Sequence, residues 1–544
     1  MPHKKRTNIL VLLACALVLP FLAQASGVFV SDRKPSADDK RLYLLHADTW
    51  RFDAYEQPDA QRLNGHVKFR HGNMVLSCDS AVYYEAAQSF EAFGNVVLNQ
   101  GDTLTLKSRR MSYRAESEIA EAREQVVLTH RGQILKTDSL NYDRYLGIAY
   151  YFEGGELWDG KNHLVSDWGE YHTQTRQSVF NFNVLLRTDR AKIQTDTLRF
   201  NNTTRWAHVS GPSNIITDNE RIYTERGDYN TRTEEAHLFD RSTVFSKDGT
   251  LQADSIFYDK LTGDAEAFRD VLYTDTINKV ILESQYGIYN EQTGYGLAYG
   301  RALAKEFSQG KDTLYVHADT LRLTTENIAT DSVRRTLVGY YHARAYRTDM
   351  QAVADSLVAY SKDRRLVLFK DPIVWSDERQ IVGEEIHAWV NDSTLDSVYV
   401  REQALMVERL DSIHYNQVAG QLLRSYFKDG KPVLNCVDGN AMVVNFPLER
   451  DSAIIYQNAT ETARLRMTME NGKMKRLWAP GSKGTFYVAG LAPQERTFLP
   501  SFAWFDYIRP LNKDDIFEWR PKKKGTQLKP AVRHVAPIQT IGKK

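Results

Sequence analysis

The sequence has little cysteine and no long apolar run beyond its first 25 residues. Its three cysteines are Cys15, Cys78 and Cys436. The last two lie far apart along the chain, so we expect no intramolecular disulfide, and stability has to come from packing. No segment after residue 25 approaches 18 uninterrupted apolar residues, so no transmembrane helix is predicted there.

The residue patterns of common enzymes and metal sites are also missing. The chain contains no His-Glu-x-x-His, no Cys-x-x-Cys and no Gly-x-Ser-x-Gly motif. Its 14 histidines are scattered without the spacing of metal ligands. We therefore expect a protein that is not an enzyme and that has no catalytic residues, no cofactor and no metal site.

The first 25 residues have the pattern of a secretory signal peptide. A basic start, Lys4-Lys5-Arg6, precedes an apolar run from Ile9 to Leu22, and Ala23-Gln24-Ala25 offers a small-x-small cleavage site. The alternative is a retained N-terminal anchor helix. The signal predicts export, with residues 26–41 as a short leader.

The charge is unevenly distributed. The net charge of the whole chain is +1, but residues 520–544 contain eight basic residues and no acidic ones, and residues 1–25 contain three. The body from 26 to 519 therefore carries −10. An acidic body argues against nucleic-acid binding. The proline-containing basic tail is typical of a solvated disordered end, and an electrostatic contact with an anionic surface is the alternative.

One motif recurs along most of the chain: a small residue, Asp, Ser or Thr, an aliphatic residue, any residue and an aromatic. Clear copies start at Thr137, Thr195 and Ala253, and weaker ones at Ala47, Cys78, Ala318 and Ala354. Asp79, Asp138, Asp196 and Asp254 are separated by 59, 58 and 58 residues, and degenerate copies lie midway. A fixed period of about 29 residues indicates a repeat architecture.

Each repeat is predicted to be one long β-hairpin. Residues 104–128 alternate apolar and polar side chains on both sides of the polar turn at Glu116-Ser117-Glu118. Arms of about 15 residues are long for flat strands, so we expect a bend within each arm. The predicted fold is all-β: an elongated, V-shaped β-jellyroll of about twelve bent hairpins over residues 42–415.

The period loosens after Tyr415. Residues 416–500 are predicted to be variant β repeats that cap the end, and 501–544 an aromatic segment followed by the disordered tail. The aromatic residues Phe502, Trp504, Phe505 and Tyr507 are interpreted as a strap that covers the last strand rather than as a ligand site.

The recurrent aspartates are interpreted as structural bend formers, because Asp and Ser side chains can bond nearby backbone N–H groups. A carboxylate ladder for calcium is the alternative. The predicted bend residues are Asp79, Asp138, Asp196, Asp254, Asp319 and Asp355.

The remaining chemistry is apolar, and it predicts a hydrophobic groove between the two sheets. Such a groove in an exported protein is suited to shielding acyl chains, because each buried CH₂ contributes about 0.8 kcal/mol. The alternative is a completely filled core. The groove candidates are Val67, Phe69, Val96, Leu98, Val126, Leu128, Val184 and Leu186.

A second recurrent motif makes the repeat similar to a known family. It reads Gly-x-Val-x-Leu/Phe and stands at Gly65–Phe69 and Gly94–Leu98, with a degenerate copy at Glu124–Leu128. Together with the Asp-Ser-Leu-x-Tyr motif, it resembles the OstA-like, or organic-solvent-tolerance, repeat of periplasmic lipopolysaccharide-transport proteins. The resemblance extends over about residues 42–415, and the chain is much longer than the usual bridge protein of that system.

The resemblance implies a periplasmic bridge protein that carries lipopolysaccharide, with lipid A chains inward, towards the outer membrane. It also implies partners: the jelly-roll domains of inner- and outer-membrane transport proteins, joined by strand augmentation. The N-terminal edge, Leu42–Phe52, is the predicted acceptor because nothing before it can cover a strand. The alternative is a structural or adhesive β-solenoid without a lipid groove.

Overall fold

The structure is a computed structural model, and it describes residues 41–524 except 56, 248, 278, 308–311, 329, 331, 391–394, 430, 449–452 and 471–472. The predicted signal peptide, nearly all of the leader and the end of the basic tail (525–544) lie outside the described residues.

The described chain forms 38 antiparallel β-strands, as its alternating pattern and abundant β-branched and aromatic residues predict. The first fourteen are β1 (Tyr43–His46), β2 (Thr49–Asp53), β3 (Gln57–His71), β4 (Met74–Tyr84), β5 (Ser89–Gln100), β6 (Leu104–Arg114), β7 (Ile119–His130), β8 (Gln133–Asp143), β9 (Ile148–Tyr151), β10 (Gly155–Asp159), β11 (Asn162–Ser166), β12 (Trp168–His172), β13 (Gln177–Arg187) and β14 (Lys192–Asn201).

The middle strands are β15 (Trp206–Ile216), β16 (Arg221–Asn230), β17 (Ala236–Phe239), β18 (Ser242–Phe245), β19 (Gly249–Ala253), β20 (Ser255–Asp259), β21 (Asp264–Asp275), β22 (Val280–Asn290), β23 (Tyr295–Tyr299), β24 (Leu303–Glu306), β25 (Leu314–His317), β26 (Thr320–Glu326), β27 (Arg334–Arg347) and β28 (Met350–Tyr360).

The last strands are β29 (Arg365–Phe369), β30 (Ile373–Ser376), β31 (Arg379–Val382), β32 (Glu385–Val390), β33 (Leu395–Arg409), β34 (Tyr415–Lys428), β35 (Lys431–Asn445), β36 (Tyr456–Glu470), β37 (Lys473–Trp478) and β38 (Lys483–Val488). One short helix, α1 (Gln494–Thr497), and two 3₁₀ turns, Asp506–Ile508 and Asp515–Phe517, follow. Among the described residues no helix has the length and apolarity needed to cross a membrane.

The pairing divides every hairpin arm into two halves. The first half of β8 pairs with β10 and its second half with β9, and β11 and β12 pair with the two halves of β13. We call the series that contains β1, β10, β11 and β38 ladder A, and the series that contains β2, β9, β12 and β37 ladder B. Long strands such as β3 to β8 run through both ladders.

The bend between the two halves is a β-bulge on one strand of each pair. In β5 the register with β4 shifts between Ser77 and Ser80, opposite Gly94 and Asn95, whose φ angles are +70° and +41°. Two consecutive left-handed residues add length to one strand and turn it. The same shift recurs in β3, β7, β13 and β27.

The two recurrent sequence motifs meet at this bulge. A Cβ on Gly94 would lie 2.5 Å from Oδ2 of Asp79 on the neighbouring strand. The neighbouring Asn95 donates its Nδ2–H to the same Asp79 oxygen at 2.8 Å. The glycine of one motif therefore gives room for the aspartate of the other, which explains why both recur with one period.

The inner faces of the two ladders pack on each other. Phe69 of ladder A stacks on Phe90 of ladder B with ring centroids 4.5 Å apart. One hydrophobic cluster extends from Leu42 to Val271 and a second, richer in alanine, from Ala298 to Leu465. Cys78 and Cys436 are both buried and do not form a disulfide with each other. The described fold is therefore stabilised by packing rather than by a bond between these two residues.

The C-terminal strap, defined here as residues 493–523, lies on the outer face of ladder A. Phe505 is 0% exposed and packs with Val353, Trp375 and Val382, and Leu499 packs in the same way on Leu405 and its neighbours. The strap was expected to cover the last strand. It instead runs back across the strands from β36 to β25, because here the outer face is itself apolar.

Candidate functional site

A continuous row of apolar side chains lines the inner face of ladder A. Each member is the direct cross-strand partner of the next, so all of them point to the same side of the ladder. Twenty-five steps of about 4.8 Å give a row on the order of 120 Å long. The row consists of Leu44, Phe69, Leu76, Leu98, Leu106, Leu128, Leu135, Leu157, Leu164, Leu186, Ile193, Ile215, Ile222, Val244, Leu251, Tyr273, Leu282, Ala304, Val316, Ala345, Ala352, Val374, Ile381, Met406, Val418 and Val443.

The eight groove candidates lie on this inner face. Four belong to the row: Phe69, Leu98, Leu128 and Leu186. The other four, Val67, Val96, Val126 and Val184, precede them by two residues and lie beside the bend. None of the eight is more than 2% exposed, so the side chains fill the space between the ladders. Contact with lipid at these positions stays a prediction.

Exposure changes along the row. From Phe69 to Ile222 no member is more than 7% exposed. From Val244 onward most members are partly exposed: Val244, Leu251, Tyr273, Leu282, Val316, Val374, Ile381, Met406 and Val443. We call residues 42–234 the latched half and residues 244–443 the open half. An apolar surface that reaches solvent exists only in the open half of this row, apart from Leu44 at its start.

In the latched half, side chains at the rim of ladder A bond to the rim of ladder B. His71 Nδ1 and the Tyr113 hydroxyl are 2.6 Å apart, and the Tyr142 hydroxyl donates to Gln100 at 2.9 Å. His130 Nδ1 lies 2.8 Å from the Tyr171 hydroxyl. These bonds, which we call rim latches, hold the two ladders together along the edge opposite the bend.

The rim latches follow the sequence repeat. Further latches are the backbone N–H of Leu42 with Gln88, the ion pair of Asp159 with Arg205, and the ion pair of Arg190 with Glu234 at 2.9 Å. Their ladder A members from position 71 onward are 71, 100, 130, 159 and 190, one for each repeat of about 29 residues. All six latches lie upstream of residue 235, which agrees with the change in exposure near Val244.

Burial keeps the aromatic latches neutral. It raises the pKa of Tyr142 to about 12 and raises that of Tyr113 further. Burial, helped by the nearby Arg131 and Arg176, lowers the pKa of His130. At neutral pH the Tyr142–Gln100 and His130–Tyr171 latches are therefore hydrogen bonds between uncharged groups.

The open half has smaller side chains between its ladders. Its core cluster contains Ala298, Ala302, Ala304, Ala318, Ala343, Ala345, Ala352, Ala354, Ala404 and Ala441. The latched half has larger side chains at the equivalent places beside the bend: Val67 precedes its row member by two residues, as Ala343 does in the open half. Alanine leaves space where valine fills it, so the larger members of the row remain partly exposed.

The six predicted bend aspartates all lie at the ladder bends, and their partners differ. Asp138 accepts the backbone N–H of Gln125 at 3.3 Å, whereas Asp319 pairs with the His342 ring at 2.8 Å. Asp355 pairs with Lys370, Asp254 with Arg241, and Asp196 accepts from Thr197. Across the described residues no three His, Cys, Asp or Glu side chains are grouped to hold a metal ion.

The open half, the covered outer face and the latches were not predicted from the sequence. Continuous apolar runs at 352–354, 373–375 and 405–407 are the available signal that these strands are covered on both faces. The latch residues have no common residue type, so no motif marks them.

Residues 39–196 match the OstA-like protein family. This segment of the chain is similar to that family. The OstA-like segment comprises β1 to β13 and the first half of β14, with the first four latches. The resemblance inferred from the repeats is confirmed for residues 39–196, and for residues 197–415 it stays a prediction. The family is one of transport and binding proteins. No protein in the curated comparison set matches the chain.

Proposed function

We propose that this protein is a periplasmic lipid-binding bridge protein that carries lipopolysaccharide towards the outer membrane. The OstA-like segment supports the transport class. The unbroken apolar row from Leu44 to Val443 is the observation that carries the lipid assignment, because it runs from β1 to β35 without a polar interruption. In this proposal the two ladders form the V-shaped trough of a β-jellyroll.

Acyl chains bind first in the open half. Val374, Ile381 and Met406 are cross-strand neighbours and all are partly exposed on the inner face. Apolar burial of about 25 cal/mol per Å² against such a surface gives affinity without a specific polar contact. No catalytic step is needed for this role.

Partners join at the two ends of the ladders. At the N-terminal end, β1 and β2 pair with β3 alone among the described strands, and Trp50 and Phe52 are 64% and 55% exposed. At the other end β37 and β38 pair with β36 alone. Open edges of this kind accept further strands, which fits jelly-roll domains of membrane-bound partners.

Site-specific photo-crosslinking in cells tests the proposal. A crosslinker at Val374 or Met406 is expected to label lipopolysaccharide. A crosslinker at Leu185 is the matched control, because this partly buried residue adjoins the row member Leu186 but faces the other side of the ladder. Equal labelling at Leu185 and Val374 would contradict an inner-face site.

A structural β-solenoid is the second candidate, and the filled interior of the latched half favours it. Mass spectrometry of the purified protein separates the two. Copurified lipid A species are expected for the transport function, whereas a scaffold would carry none.

A further inference from the structure

A cleft remains at the far end of the C-terminal strap, on the outer face of ladder A. Its volume is about 390 Å³. Ladder A contributes His317 and Arg344, the bend between β23 and β24 contributes Arg301, and the strap contributes Phe517 and Trp519. The cleft is separate from the apolar row, because Val316 and Ala345 of the row point to the inner face and their neighbours His317 and Arg344 point outward.

Arg344 is a buried cation with an unused donor. The residue is 4% exposed, and its Nε–H donates to the His342 carbonyl at 3.2 Å. Its Nη1 is buried and has no hydrogen-bond partner. An unpaired buried guanidinium N–H is costly, so a ligand oxygen at this place would be strongly favoured.

A second cation without an acidic partner lines the same cleft. Arg301 is exposed, and its guanidinium carbon lies 4.1 Å from the centroid of Phe517. Within the described part of the chain, neither Arg301 nor Arg344 forms an ion pair. The acidic residue of the cleft, Asp319, is already paired with His342 at 2.8 Å.

Aromatic rings form the walls. Phe517 packs on His317 with centroids 4.8 Å apart, and Trp519 packs on His342 at 4.6 Å. Acidic residues of the strap are also near Arg344, but Asp515 is bound by Arg520. The cleft therefore combines two guanidinium groups that have no acidic partner with the rings on which they lie, Phe517 for Arg301 and Trp519 for Arg344. Guanidinium groups with unused donors beside aromatic rings can recognise a phosphate attached to an organic group.

We propose that this cleft binds a phosphate monoester, with Arg301 and Arg344 bonding the phosphate oxygens and Phe517 and Trp519 packing on the attached group. A monoester offers three terminal oxygens and close to two negative charges, which match two guanidinium groups better than a singly charged diester does. The site does not depend on the proposed lipid transport.

Isothermal titration of the full mature protein with glucose 6-phosphate and with inorganic phosphate tests the site. We expect saturable binding that weakens at least about tenfold in Arg301→Gln and in Arg344→Gln. Arg466→Gln is the matched control, since Arg466 also lies over a ring, that of Trp478, but far along the chain in β36. Its binding is expected to equal that of the wild type.

Arg301→Gln decides the result if Arg344→Gln fails to fold, because Arg301 is exposed and its replacement is expected to leave the melting temperature unchanged. Absence of wild-type binding to glucose 6-phosphate, to inorganic phosphate and to phosphatidic acid vesicles, or wild-type affinity in Arg301→Gln, overturns the proposal.

Vesicles separate a lipid headgroup from a soluble ligand. Binding to phosphatidic acid vesicles that is lost in Arg301→Gln, with weak binding of glucose 6-phosphate, supports a lipid phosphate monoester. The reverse supports a soluble one. Equal binding to phosphatidic acid and phosphatidylglycerol vesicles, unchanged in Arg301→Gln, indicates general charge attraction and overturns the proposal.

Discussion

At the residue scale, the bend depends on a glycine and an aspartate on adjacent strands. Gly94 has a φ of +70°, and Asp79 occupies the space where a Cβ would lie. Gly65 and Gly211 face Asp48 and Asp196 in the same way. The aspartate of the motif therefore packs closely against the glycine at the bulge and also forms hydrogen bonds there.

Gly94→Ala is expected to lower the free energy of unfolding by about 1–3 kcal/mol, because backbone strain and the clash with Asp79 add together. Gly101→Ala is the control: its φ is +56°, but nothing lies within 4 Å of the added Cβ. It should lose only about 1 kcal/mol from backbone strain. Urea denaturation of both variants measures the difference, and equal losses would argue against close packing on Asp79.

At the element scale, three buried glutamines on the outer face of ladder A attach the strap. Gln380 donates to the Ala503 carbonyl at 2.9 Å and accepts the Phe505 N–H at 2.7 Å. Gln417 bonds Thr497 and Leu499 in the same way, and Gln457 bonds Arg496. The glutamine side chains bond backbone N–H and C=O groups of the strap, which are not paired with a neighbouring strand.

Gln380→Ala is expected to destabilise the protein by about 1–3 kcal/mol, because the variant leaves the buried Phe505 N–H and Ala503 carbonyl without partners. The matched control is Gln194→Ala, on the exposed outer face of ladder A in the latched half. That change should stay within about 0.5 kcal/mol. Limited proteolysis near residues 498–510 reports detachment of the strap, and protection equal to the wild type would show that the glutamine does not hold it.

At the scale of the whole molecule, two halves of one repeat array differ in access to their interior. The latched half is closed by bonds between residues 41 to 46 positions apart, and the open half has alanine-rich walls. Under the proposed function, lipid that enters the open half would pass into the latched half only if the rims separate.

Weakening one latch is expected to admit lipid. In His130→Ala, a photo-crosslinker at Leu186 should label lipopolysaccharide more than it does in the wild type. His208→Ala is the control, because this exposed histidine pairs with Asp228 away from the rim. Unchanged labelling at Leu186 in His130→Ala would show that this latch does not restrict access.

The same latch predicts a pH dependence. The pKa of folded His130 is lower than the ordinary value of 6.5, so the unfolded chain binds a proton more readily. The contribution of His130 to stability is therefore complete above pH 6.5 and falls as the pH drops below that value. The difference in melting temperature between wild type and His130→Ala should shrink on acidification, and a constant difference would contradict the prediction.

The sequence by itself determined the all-β class, the 29-residue period, the turns and the alternation that puts Leu98 and Leu128 inside, because turn chemistry and side-chain alternation act over a few residues. Only the tertiary structure decided where the interior opens, where the strap lies and which rims are latched. His130 and Tyr171 are 41 residues apart in sequence, and they meet only because two ladders close on each other. The strap packs on Trp375 and Val382 because several strands together present an apolar outer face that no single strand shows.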